Sequence, residues 1–168
     1  MKRKNLILLT LSFVCVAVMT LFSACKKENG TEPEDPTTPQ TQPQQTLVSD
    51  KARPSWNAPQ EYDYTSSMTA IVRVDLKAQY PELAKDFKLT ENDLLAAFSG
   101  TTCLGTATPS EEDLFFLYVV STEGNVTLRY YSGQYKNIFE AKDAFPYRND
   151  TQLGNVAEPF VPALKVAQ

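Results

Sequence analysis

An all-β domain of short antiparallel strands, a sandwich or a barrel, is the fold the sequence predicts for residues 50–168. Three observations predict it. Residues 68–77 place Met68, Ala70, Val72, Val74 and Leu76 on one face and Thr69, Arg73, Asp75 and Lys77 on the other. That period of two is a half-buried antiparallel strand. Two more runs, 114–122 (LFFLYVVST) and 126–132 (VTLRYYS), are rich in β-branched and aromatic residues. Turn residues separate such runs at intervals of roughly 8–12 residues, the spacing of an all-β domain.

Taken in order, the chain first presents a segment that is not part of that domain. Met1-Lys2-Arg3-Lys4 is basic, residues 6–22 are apolar, and Ser23-Ala24-Cys25 closes the segment. Basic start, apolar middle and small residues at the end are the anatomy of a cleaved export signal. The small pair followed by Cys25 resembles the lipobox of bacterial lipoproteins, with Phe22 standing where that family most often has Leu. The resemblance implies that residues 1–24 are removed and that Cys25 becomes the lipidated first residue of the mature protein. A spanning helix is the rival reading, but 6–22 is short for ~30 Å of hydrocarbon and is interrupted by Thr10, Ser12 and Thr20. On the lipid reading, Cys25→Ala releases the protein from the membrane fraction. Retention with an uncut N-terminus would identify a spanning helix instead.

Residues 25–49 carry Pro33, Pro36, Pro39 and Pro43 among Thr, Gln and Glu, with no aromatic residue. Such a stretch buries too little apolar surface to offset its ordering entropy, so a disordered, extended linker is expected. Residues 102–108, 136–141 and 159–164 are weaker strand candidates, and Glu123-Gly124-Asn125 predicts a hairpin joining 114–122 to 126–132. Residues 81–87, opened by Pro81, suggest a short helix. Residues 90–98 are ambiguous. Thr90-Glu91-Asn92-Asp93 has the spacing of a helix cap, yet Ser99-Gly100 ends any helix after barely two turns.

A second resemblance bears on that ambiguity. Asp93-Leu94-Leu95-Ala96-Ala97-Phe98-Ser99-Gly100, followed by Cys103, Gly105 and Ala107, resembles a motif recurring in extracellular β-sandwich modules of Bacteroidetes. Phe115-Phe116-Leu117, Thr127-Leu128-Arg129-Tyr130, Asn149-Asp150, Gly154 and Pro159-Phe160 extend the likeness over about residues 68–162. It implies a strand at 95–98, a turn at Gly100 and an immunoglobulin-like antiparallel β-sandwich on a cell envelope of the outer-membrane type. Neither a periplasmic nor a surface-facing position follows from it.

Composition narrows the chemistry. The net charge is −4, and loss of residues 1–24 leaves thirteen of the 16 basic residues against all 20 acidic ones, a charge of about −7. An acidic body with no basic cluster does not suit nucleic acid, whose affinity comes from phosphate neutralisation. With Cys15 removed and Cys25 lipidated, Cys103 has no disulfide partner, so an apolar core must hold the domain together. The sequence has no histidine, which removes the usual general base, the Ser-His pair and the commonest metal ligand. Its six glycines form no phosphate loop. No enzyme activity, cofactor or metal is expected. Glu111-Glu112-Asp113 reads as a solvated turn rather than a hydrolase pair, and Asp143, Asn149 and Asp150 as turn residues rather than calcium ligands.

Aromatic residues are the remaining handle on function. Trp56, Tyr131, Tyr135 and Tyr147 are the candidate ligand-binding residues, since a sugar ring stacks on an exposed aromatic plane. Tyr130 and Tyr131 must face opposite sides of a strand, so one is expected at the surface. Core packing is the simpler role for any one of these rings. The expectation is a lipid-anchored, non-catalytic β-sandwich that binds a glycan or a surface protein. The alternative is a structural or assembly subunit of a larger envelope complex, pairing through an open strand edge.

Overall fold

A computed structural model describes residues 46–60, 65–120 and 122–168. The signal segment, Cys25, most of the linker, and Tyr62 and Tyr64 lie outside the described residues. Among the described residues no helix is long and apolar enough to cross a membrane.

The described body is all-β. Strand β1 (Ser67–Val72) pairs antiparallel with β4 (Phe115–Val120) and, over Thr69 and Ala70, parallel with β8 (Gln152–Leu153), giving a sheet in the order β4-β1-β8. A larger antiparallel sheet runs β3 (Thr102–Ala107), β2 (Leu94–Ser99), β5 (Asn125–Ser132), β6 (Asn137–Ala141) and β9 (Leu164–Val166). Strand β7 (Phe145–Pro146) pairs with the start of β5. Apolar side chains of both sheets meet in one core. Met68, Ala70, Val72, Val74 and Leu76, the face predicted from period two, all enter it. Leu95, Ala97, Leu128, Tyr130 and Phe139 come from the larger sheet. The Tyr130 ring lies 6.0 Å from both Phe115 and Phe139, and Phe87 meets it edge-on at 6.5 Å. Ring pairs at these separations add to the area they bury.

Several expectations are corrected. The first strand ends at Val72, and the alternating face continues into a one-turn helix, α1 (Leu76–Gln79), whose start is capped by Ala78 N donating to Asp75 Oδ1 at 2.9 Å. Residues 81–87 form successive turns instead of a helix, with Ala84 N bonded to Tyr80 O and Phe87 N to Ala84 O, which sink Ala84 and Phe87 into the core. Residues 94–99 are strand, as the envelope-module resemblance implied. Every side chain from Leu94 to Phe98 is buried, so both faces are covered, and a helix would have exposed part of them. The predicted β4–β5 hairpin does not form. Strand β4 is held by β1 over six residue pairs and β5 by β2 over five, so the Gly124 turn carries the chain from one sheet to the other. Phe115, Leu117 and Val119 then share the core with Val126, Leu128 and Tyr130 instead of pairing beside them. The folded body also starts before Asp50, because Leu47 is buried in the core and its carbonyl accepts from Asn137 Nδ2 at 3.0 Å.

The end of the chain pairs later than expected. Pro159 and Pro162 lack the N–H a ladder needs, so Phe160 makes a single bridge to Val72 and the strand waits until Leu164. There the outward backbone of β9 is closed by side chains: Leu164 N donates to Gln79 Oε1, and Tyr80 OH donates to Leu164 O at 2.9 Å.

The edges of the two sheets meet at β3 and β4. A bulge between Ala97 and Phe98 leaves Leu104 unpaired and turns the β3 edge. Gly105 then lies directly under the carbonyl of Tyr118, where any side chain would collide with it. A bridge from Pro109 to Phe115 continues this seam.

Candidate functional site

Residues 46–60 run over the outer face of the larger sheet. Ser49 N and Lys51 N donate to the carbonyls of Tyr135 and Lys136 at 2.9 and 3.0 Å, and Arg53 Nε donates to Asn92 O at 3.0 Å. Tyr131, which faces outward from β5, donates its hydroxyl to Lys51 O at 3.1 Å. Further along, Trp56 meets Phe98 edge-on with ring centroids 5.6 Å apart, and the Arg129 guanidinium sits 4.4 Å from the centre of the same Phe98 ring. Arg129 in turn pairs with Glu140 across β5 and β6 at 3.7 Å. This segment is extended because Pro54 and Pro59 bias their predecessors away from helix and restrict its own backbone.

Past Trp56 the segment reaches the β3–β4 seam and forms one wall of an open cleft of about 650 Å³. Trp56, Asn57 and Gln60 stand on that wall, facing Thr106 of β3 and Tyr118 of β4. Strand β3 can reach the seam only because Gly105 has no side chain. Among the described residues no charged side chain lines the cleft. Two aromatic rings, two carboxamides and a hydroxyl converge in this described lining. Such a lining can stack on an apolar ring face and exchange hydrogen bonds with neutral hydroxyl groups.

Of the four predicted ligand residues, the structure brings only Trp56 to this cleft. Tyr131 is 4% exposed beneath residues 46–60, so the expected surface tyrosine of the Tyr130–Tyr131 pair does not exist. Tyr135 is 7% exposed and stacks on Phe87 at 6.0 Å with planes 16° apart; burial, then the Asp86 charge, raises its phenol above the ordinary range. Tyr147 packs against the core and donates to Asn149 Oδ1 at 3.4 Å. The candidates are dispersed, and three of them are engaged in packing. Tyr118 is absent from the predicted set: Phe115, Leu117 and Val119 enter the core, which leaves Phe116 exposed and Tyr118 half-buried, packed against the core on one side and bordering the cleft on the other.

The densest acidic run stands apart from the described lining of the cleft. Glu111, Glu112 and Asp113 occupy an exposed turn closed by Asp113 N to Ser110 O at 3.2 Å and by Ser110 Oγ, which accepts from Glu112 N. Among the described residues no three acidic or cysteine side chains gather as a metal site. Cys103, opposite Phe98 on β3, is half-buried, and burial pushes its thiol up. The buried acid is Asp93, whose carboxylate accepts from Tyr130 OH at 2.6 Å, Gly133 N at 2.7 Å and Thr90 Oγ1 at 2.9 Å. With its oxygens so occupied and no solvent contact, its work is to hold the β5–β6 turn against the start of β2. No family model, curated protein or solved structure matches the chain.

Proposed function

We propose that this chain is a cell-envelope protein, tethered through lipid on Cys25, that displays a non-catalytic, immunoglobulin-like β-sandwich for binding a neutral glycan. The observation that carries the reading is the cleft between Trp56 and Tyr118, whose described lining carries no charge and sets the carboxamides of Asn57 and Gln60 beside the rings. Sugars are bound through a ring face on an aromatic plane and through hydroxyls on amides, and this lining supplies both. A non-catalytic role rests on the absence of histidine from the sequence and on the exposed, solvated turn that holds its densest acidic run.

The strand edges favour this reading over an assembly subunit. Edge pairing needs a row of open backbone groups. Strand β9 spans three residues and its Leu164 groups are taken by Gln79 and Tyr80, while β3 backs onto Tyr118.

The full-length chain applied to an array of neutral and acidic glycans tests the proposal. A stacking contact contributes about 0.5–1.5 kcal/mol, so Trp56→Ala and Tyr118→Ala should each weaken binding by about twofold to tenfold. Thermal melting of each variant checks that the fold persists. Retention of only acidic glycans, or unchanged affinity in both folded variants, would remove the cleft from consideration.

A further inference from the structure

The cleft is one end of a longer row. Thr69 of β1 is the cross-strand partner of Tyr118, and Ile71 is the partner of Phe116. Successive outward positions on a strand lie ~7 Å apart, so Tyr118 and Phe116 stand one such step from each other on one face. Phe116 is 47% exposed, one of the few large apolar side chains at this surface. One step further along β1's direction, Arg73 leaves the sheet and borders a second concavity of about 650 Å³, whose rim carries both signs of charge, Lys77 and Lys88 with Asp75 and Glu112. Between the two concavities Ile71 is buried, Thr69 and Tyr118 are half-buried and Phe116 is the exposed ring; none of the four carries a charge, and Gln152 of β8 sits beside Thr69. From Tyr118 to Arg73 the row covers ~13 Å, more than one sugar ring can span.

We infer that the ligand of the Trp56 cleft is a linear polysaccharide lying along the outer face of β1 and β4, with Phe116 as a second stacking platform and Arg73 at its far end. The inference rests on the glycan reading of the cleft and goes beyond it by fixing chain length and direction. A terminal sugar would need the cleft alone, and the exposed ring of Phe116 would then have no partner. Phe116 is the next exposed ring along β4 from Tyr118, toward Arg73.

The test uses the full-length chain with neutral linear glucan, mannan, xylan and galactan, and the one- to six-unit oligosaccharides of whichever polymer is retained. Affinity should rise with length up to about three or four units, the span of the row. Phe116→Ala should weaken the longer oligosaccharides by about threefold or more, leave the shortest unchanged, and be rescued by Phe116→Tyr. Arg73→Ala should affect only the longest. Phe116 is half in solvent, so its variants are expected to fold, and melting verifies this. Affinity independent of length, or a Phe116→Ala profile matching the parent, overturns the extended site while leaving the Trp56 cleft standing. Failure of every polymer and oligomer to bind overturns both.

Discussion

Asp93→Ala is expected to destabilise the domain by about 3–5 kcal/mol, a large share of the stability of a domain this size. The carboxylate is fully buried and accepts from Tyr130 OH, Gly133 N and both the hydroxyl and the N–H of Thr90. Alanine leaves those donors facing a void, and the Tyr130 hydroxyl, on a ring with no exposure, has no water to turn to. Asp93→Asn keeps the volume but points an N–H₂ at groups that also donate, so it should fall between parent and Ala. Tyr130→Phe removes one donor and should cost about 1–2 kcal/mol. If the pair acts as a unit, the Asp93→Ala/Tyr130→Phe double variant will be more stable than the sum of the single losses predicts. Urea unfolding measures all four. A loss under about 1 kcal/mol for Asp93→Ala would show that this cluster does not hold the turn.

The same contact sets a dependence on alkali. Burial first, then the Asp93 charge and the hydrogen bond to it, raise the Tyr130 phenol above its ordinary value. A folded-state pKa above the unfolded one means that the native state keeps its proton longer. The associated stability is therefore full below about pH 10, the unfolded tyrosine value, and is lost as pH rises beyond it, by about 1.4 kcal/mol per pH unit. Tyr130→Phe should flatten that decline.

The core face of 68–76 could be read from the sequence because alternation reports burial directly, wherever one side of a segment meets the core. The weaker candidate at 136–141 contains a strand whose burial does alternate, whereas the strand within 102–108 buries two adjacent residues, Leu104 and Gly105, and alternation does not mark it. Partner choice was not legible. Glu123-Gly124-Asn125 has turn chemistry whether the chain folds back beside itself or crosses to another sheet, and only the competing pairs β1–β4 and β2–β5 decide. Thr90-x-x-Asp93 shows the limit from another side. Its local bonds, Thr90 Oγ1 and Thr90 N to the Asp93 carboxylate, resemble those of a helix cap, yet they open a strand, because Leu94 to Phe98 is covered on both faces. The second cover is residues 46–60, and with it went the prediction of a surface Tyr131. In the candidate site, Trp56 was legible as a lone tryptophan between prolines, whereas Tyr118 was absent from the predicted set. Their meeting across a seam closed by Gly105 is tertiary, and no local pattern encodes it.

Gly105→Ala is the second large effect expected. A methyl group at Gly105 would fall on the Tyr118 carbonyl, which is backbone held in register by β1 and has no rotamer through which to yield. Either β3 moves away or the β1–β4 pairing bends, and overpacking of this kind costs about 1–3 kcal/mol. The upper end applies here, because Leu117 also lies within van der Waals reach of the added carbon. Gly105→Val should exceed that and abolish the native transition. The wall of the candidate cleft that faces Trp56 is built across this seam, Leu104 and Thr106 from β3 and Tyr118 and Val120 from β4. Stability and glycan binding should therefore fall together in Gly105→Ala, whereas Trp56→Ala should weaken binding with little change in melting temperature. Phe98 loses only an edge-on ring contact in that variant and keeps the Arg129 guanidinium over its face. If Gly105→Ala melts like the parent, β3 and β4 are not in backbone contact, and the wall that brings Thr106 opposite Trp56 is not built by this seam.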